Sequence, residues 1–180
     1  MIKYLKTLFN KGIKNMNIIL IGMPGSGKST AGVLAAKALC MEFTDTDLII
    51  QKKADITLQE IINVHGIEYF EKFEENTILN LKCSNCIIAT GGSVVYYPKA
   101  MEYLKSIGKI LYLHLDFQEV EKRIKNINTR GIVFKSGQTL LDMYNERIKL
   151  YNKYYDRIID CNGKTVEETV KDIVDNCSFM

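Results

Sequence analysis

No stretch of eighteen apolar residues occurs anywhere in the 180-residue sequence, so no transmembrane helix is expected. Histidine is scarce: His65 and His114 stand alone, without the spacing of metal ligands. Cys83 and Cys86 have the C-x-x-C spacing of a redox or zinc half-site, but no second pair lies near, which favours two structural thiols over zinc. Five cysteines is an odd number, and no secretory signal accompanies them, which points to reduced thiols in the cytoplasm. Excess charge is also missing. A net charge of +3, with basic residues scattered and not interleaved with aromatics, argues against nucleic acid and membrane partners. Internal repeats, low-complexity tracts and linkers are absent, so the length fits one domain with its own core.

Residues 1–15 mix Lys3, Lys6, Lys11 and Lys14 with Ile2, Leu5, Leu8 and Phe9, and read as an N-terminal extension. The apolar stretch is too short for a signal peptide and has no cleavage site. The domain proper is expected over 16–180, opening at Met16 before a short apolar run.

From that run onward, strand and helix patterns alternate, which predicts an α/β domain with a parallel sheet covered on both faces. Strands are expected at Asn17–Ile21, around Phe43 up to Asp45, at Cys86–Ala89, Ile110–Leu115 and Arg157–Asp160. Helices are expected over Lys28–Cys40, from the Thr57/Glu60 capping box, and over Glu68–Leu81. Further helices run from Pro98 to near Gly108, over Glu119–Lys125 and from Gln138 to Tyr155, and the last is capped by Thr165 and Glu168. Between them, residues 126–137 lack apolar periodicity and read as a mobile loop.

The strongest chemical signal is Gly22-Met-Pro-Gly-Ser-Gly27-Lys28-Ser29, a complete G-x-x-x-x-G-K-[ST] phosphate loop between a strand and a helix. Glycines let backbone N–H groups turn inward around phosphates, where side chains would block approach. The helix starting at Lys28 aims its N-terminal dipole at the same anion. Lys28 is expected at the β- and γ-phosphates of ATP, and Ser29 on Mg²⁺. Gly25, Ser26, Gly27 and Thr30 complete the nucleotide-binding set.

A phosphate loop alone fits several nucleotide-using classes. The guanine signature N-K-x-D and a Walker B aspartate after four hydrophobics are both lacking. Instead, Asp45 and Asp47 stand two residues apart just past the second strand, at the carboxyl end of the sheet where ligands bind. One carboxylate could hold a Mg²⁺-bound water and the other accept a proton from an attacking hydroxyl. Equally, acidic residues at a strand end are often solvated or cap a helix.

Taken with the order and spacing of the remaining motifs, the sequence resembles the shikimate kinase family over about residues 16–176. The matching features are Gly22–Thr30, Phe43-Thr-Asp45-Thr-Asp47, the turn Gly91-Gly92-Ser93, Arg130 in the loop and Arg147 before Tyr151. The resemblance implies a five-stranded parallel sheet flanked by helices, with a lid at about 126–137. It implies that ATP phosphorylates a hydroxyl of a small hydroxy acid, most simply shikimate, with a single chain acting alone. Asp47 would contact substrate hydroxyls, Asp45 would support magnesium, and Gly91, Gly92 and Arg147 would line the acceptor side. Arg123 would lie against adenine, while Arg130 would close over the phosphates and, with Lys28 and Asp47, take part in catalysis.

Three positions depart from the family pattern. Glu71 stands where the family places an arginine that grips the substrate carboxylate, Ser93 replaces the third glycine of the turn, and Gly131-Ile-Val follows Arg130. Two like charges about 4 Å apart repel by about 4 kcal/mol at an effective dielectric of about 20. Either Lys72 substitutes for the arginine, or the acceptor is an amino-bearing hydroxy compound such as homoserine, with its ammonium at Glu71. A nucleotide-binding regulator without phosphotransfer is a third reading, opposed by the retention of Lys28, Ser29, Asp45, Asp47 and Arg130.

Overall fold

The computed structural model describes residues 16–124 and 137–177. Five parallel strands form one sheet, as expected from the sequence, and their order is β2-β3-β1-β4-β5. They are β1 (Asn17–Ile21), β2 (Glu42–Asp45), β3 (Cys86–Ala89), β4 (Gly108–His114) and β5 (Arg157–Asp160). β1 sits at the centre, paired with β3 on one side and β4 on the other, and all of its residues are buried. That is why it reads as an unbroken apolar run and not as an alternating strand.

Asn17, the polar exception, is 2% exposed and fully used: its side chain donates to the carbonyls of Cys83 and Ile107 and accepts from the Cys86 amide. The loop before β3 and the start of β4 are thereby tied to the first residue of β1. Cys83 and Cys86 are both free thiols beside the Thr44 hydroxyl, and the described residues hold no cluster fit for a metal.

The helices flanking the sheet are α1 (Lys28–Leu39), α2 (Thr46–Ala54), α3 (Leu58–His65), α4 (Ile67–Leu79), α5 (Pro98–Ile107), α6 (Phe117–Ile124), α7 (Leu140–Tyr154) and α8 (Val166–Cys177). α1 lies so close to the sheet that a Cβ on Gly32 would stand 2.9 Å from the Phe43 ring and 3.0 Å from Leu20. The capping boxes at Thr57/Glu60 and Thr165/Glu168 form as expected, and a third appears at Thr139/Asp142. A main core surrounds the sheet, while Ile50, Leu58, Ile61 and Phe70 form a smaller one under α2, α3 and α4.

Two elements were not expected. Helix α2 follows β2 without a break, and a 3-10 turn spans Val94–Tyr96. The α2 sequence places Leu48, Ile49 and Ile50 side by side, so no helical periodicity marks it, and Leu48 ends 61% exposed. Residues 1–15 and most of the expected lid, including Arg130, lie outside the described residues.

No helix among the described residues is long and apolar enough to cross a membrane.

Candidate active site

Strand β1 leads through α1 to β2 on one side, and β3 crosses over β1 to β4 on the other. The crevice outside the carboxyl end of β1 is therefore the switch point of the sheet. The phosphate loop leaves β1 at this place. Its last glycine, Gly27, caps α1 at φ 92°, a left-handed conformation that other residues adopt only with strain. Lys28 is 8% exposed, and its Nζ donates to the carbonyls of Gly22 at 2.7 Å and Met23 at 2.9 Å. The ammonium thus folds back over the loop it belongs to, where phosphates would lie against it. Ser26 is buried with its Oγ 3.4 Å from Lys28 Nζ, whereas Thr30 is exposed on α1.

Gly25, Gly27, Lys28 and Ser29 line one side of a crevice whose other side carries Asp47, Gly91 and Gly92. The crevice thus brings Gly25, Gly27, Lys28 and Ser29 of the phosphate loop together with Asp47, Gly91 and Gly92, while Arg147, Ser26 and Thr30 are not among the residues that line it. Asp45 is placed differently. It is the N-cap of α2, its Oδ1 accepting the Asp47 amide at 3.0 Å, and it does not line the crevice. Capping turns the chain so that Asp47, in the first turn of α2, faces the loop.

The Gly91-Gly92 turn must come close to both sides. A Cβ on Gly92 would stand 2.8 Å from the Pro24 ring of the phosphate loop and 3.2 Å from Arg147 Nη1. A Cβ on Gly91 would collide with Glu74 Oε1 and stand 3.0 Å from Asp47 Oδ1. Only glycines admit these approaches. The Gly91 amide is held in turn by the buried Thr46 hydroxyl at 3.2 Å.

Arg147, on α7, is 2% exposed, and its guanidinium lies 5.3 Å over the Tyr96 ring behind Gly92. One turn later Tyr151 donates to the Gly92 carbonyl at 2.7 Å. Arg123, on α6, donates to the Gly25 carbonyl at 3.3 Å and pairs with Glu119 at 3.4 Å, so it sits on the outer edge of the phosphate loop.

Glu71 does not fill the place the sequence suggested for it. It lines a separate open depression with Glu68, Lys72, Glu75 and Tyr97, and neither it nor Lys72 borders the crevice. The carboxylate that does enter the crevice from α4 is Glu74, one turn further on and missed in the sequence reading. It is fully buried, and Ser93 Oγ at 2.6 Å and Tyr97 Oη at 2.9 Å both donate to its Oε2. Burial first, and the nearby Asp47 second, push its carboxyl group up to about 7, against the opposing pull of the two hydroxyls and of Arg147. In sequence Glu74 sits in the run Glu71-Lys72-Phe73-Glu74-Glu75, which looks like any solvated helix face. Only Phe70, four residues earlier and buried, hints that this side turns inward.

Known proteins share this sequence pattern and fold. The family model described as shikimate kinase matches residues 24–178. A shikimate kinase from Clostridium botulinum (strain Okra / Type B1) is 38% identical over 159 residues, which cover 86% of this chain and 92% of that one. The crystal structure of shikimate kinase from Aquifex aeolicus superposes with a TM-score of 0.76 at 30% identity, covering 91% of this chain and 96% of that one. A shikimate kinase from Acinetobacter baumannii in complex with shikimate shares the fold at a TM-score of 0.83 and 24% identity, covering 94% of this chain and 96% of that one. With a phosphate loop, an acceptor-side carboxylate and a glycine turn meeting in one crevice of this fold, the chain belongs to the shikimate kinase family of ATP-dependent small-molecule kinases.

Proposed function

We propose that the chain transfers the γ-phosphoryl group of ATP to a hydroxyl of shikimate, giving shikimate 3-phosphate. The observation that carries this reading is the shared crevice, which Lys28 and Ser29 line together with Asp47, Gly91 and Gly92. Donor and acceptor held in that way meet without diffusing, and orientation alone removes much of the barrier. Family membership narrows the acceptor to shikimate. The amino-bearing alternative loses its basis, because Glu71 stands outside the crevice.

Each residue has a part. Backbone amides of Gly25, Ser26 and Gly27 and the first turn of α1, with Ser29 and Thr30, cradle the phosphates. Lys28 neutralises charge that grows on the transferring group. Asp47 accepts the hydroxyl proton as the oxygen attacks. Arg147 and the Gly91-Gly92 turn hold the acceptor, the guanidinium pairing with its carboxylate. Arg123 borders the nucleotide from the outer side of the loop. Arg130, carried on a lid at about 126–137, closes over the phosphates and excludes water that would otherwise take the phosphoryl group.

The donors on hand fit Mg²⁺, a hard cation that takes a few protein oxygens and otherwise phosphate oxygens and water. The Ser29 hydroxyl, which lines the crevice, would hold it directly, and Asp45, engaged as the α2 N-cap outside that lining, would reach it only through a bound water. When bound, the ion supplies positive charge at the phosphate oxygens. One chain supplies the phosphate loop, Asp47 and the glycine turn of the crevice, which supports action as a monomer, and its free thiols suit a reducing cytoplasm.

The test is product identification. Incubation with ATP, Mg²⁺ and shikimate, followed by mass spectrometry and phosphorus NMR, should show one phosphate on the 3-hydroxyl. Phosphorylation of homoserine or gluconate in preference to shikimate would overturn the assignment.

A further inference from the structure

Glu74 is a charged side chain with no exposure to solvent, placed in the wall of the crevice next to Asp47 and Gly91. Its two oxygens are used unequally. Oε2 accepts two hydrogen bonds, from Ser93 and Tyr97, whereas Oε1 has no partner among the described residues and faces Gly91 on the side where Asp47 also lies. A buried carboxylate oxygen without a donor is costly, and in a well-packed wall it calls for a ligand. Ser93 is itself one of the departures from the family's glycine turn, and its hydroxyl is the shorter of the two contacts.

We propose that Ser93 and Tyr97 are positioning residues for the acceptor, working through Glu74. Their hydroxyls pin one carboxylate oxygen and thereby present the other to a hydroxyl of the acceptor beside the one that Asp47 activates. This deepens the kinase reading above and rests on it. With Oε2 occupied by two donors, any proton that Glu74 takes up sits on Oε1 and removes the hydrogen-bond acceptor the substrate needs. Acceptor binding therefore strengthens as Glu74 ionises. The groups that face it are Asp47 from α2, which opposes ionisation, Arg147 from α7, which favours it, and the Ser93 and Tyr97 hydroxyls, which also favour it. Tyr97 remains a donor throughout, since burial, then Glu74 and Glu71, push its own ionisation far above the working range. Loss of either hydroxyl must shift the Glu74 titration upward and loosen the carboxylate.

Steady-state kinetics over pH 5.5–9 on wild type, Ser93→Ala, Ser93→Thr and Tyr97→Phe test this. In the wild type, kcat/KM for shikimate should rise with pH through an ascending limb. Ser93→Ala should raise the shikimate KM about three- to tenfold, less than the roughly tenfold or more of a hydrogen bond lost directly to a charged group because Ser93 acts through Glu74, with the ATP KM within about twofold. The ascending limb should move to higher pH by roughly half a unit or more in Ser93→Ala and Tyr97→Phe. Ser93→Thr, which keeps the hydroxyl, should behave as wild type. An unchanged shikimate KM and limb in Ser93→Ala would overturn the inference, as would equal increases in both KM values with no pH shift. A wild type that turns over no shikimate would overturn the kinase reading and this inference together.

Discussion

Tyr151 donates a 2.7 Å hydrogen bond to the carbonyl of Gly92, joining helix α7 to the glycine turn that follows β3. Arg147 lies one helical turn before it and hydrogen-bonds the same hydroxyl, so the guanidinium and the turn are held by one group. Tyr151 is fully buried and stacks on Tyr112 of the central sheet with ring centroids 4.9 Å apart. The position of the buried arginine is therefore set from the core outward and not by the loop it approaches.

Tyr151→Phe keeps the ring stack but leaves the Gly92 carbonyl and Arg147 short of a partner. Stability should fall by about 1–3 kcal/mol, the cost of an unsatisfied buried group. The shikimate KM should rise about tenfold while the ATP KM stays within about twofold, because the change lies on the acceptor side. Thermal unfolding and steady-state kinetics on the same preparation check both parts.

Asp47→Asn retains shape and removes basicity. Turnover should fall about 10²–10⁴-fold, the range expected when a general base is lost. ATP affinity, read by calorimetry, should change little. A collapse of ATP binding with acceptor-dependent turnover intact would assign Asp47 to the nucleotide instead.

Glu74 gives a pH signature in stability. Its folded value of about 7 lies above the ordinary 4.5, so folding takes up a proton between these limits. Stability is fully present below about pH 4.5, declines as pH rises through the window and is lost above about 7. The full effect is at most about 3 kcal/mol. Glu74→Gln, which resembles the protonated acid, should flatten that part of the decline in melting temperature between pH 5 and 8. An identical decline in both proteins would show that Glu74 titrates normally.

Glu71 borders an outer depression, not the crevice. Glu71→Gln should accordingly leave the shikimate KM within about twofold, since a partly exposed charge outside the site is screened by solvent. A tenfold change in either direction, measured by coupled ADP release, would place Glu71 in contact with the acceptor.

The residues legible in the sequence were those whose chemistry demands neighbours in the chain. The phosphate loop is contiguous because one backbone stretch must wrap the phosphates, and β1, β3 and β5 were read as strands to the residue because their ends are sharp. Helix α2 escaped because its apolar residues are adjacent rather than spaced, and its start is signalled only by Asp45, a residue with two possible duties. Ser93, Tyr97 and Glu74 meet across distances of 4 to 23 positions on different elements, and no local pattern records that meeting. Glu71 looked decisive in sequence because it departs from a family pattern. One helical turn separates it from the carboxylate that the fold turns inward.

Whether this crevice couples ATP to shikimate is read by ADP release from the purified chain with Mg²⁺, with and without shikimate. Release should depend on shikimate, saturate with it, and exceed release with homoserine, threonine or gluconate. Lys28→Ala should lower kcat/KM at least about a hundredfold, as loss of a preorganised charge requires. ADP release unaffected by shikimate, or retained in folded Lys28→Ala, would contradict the account.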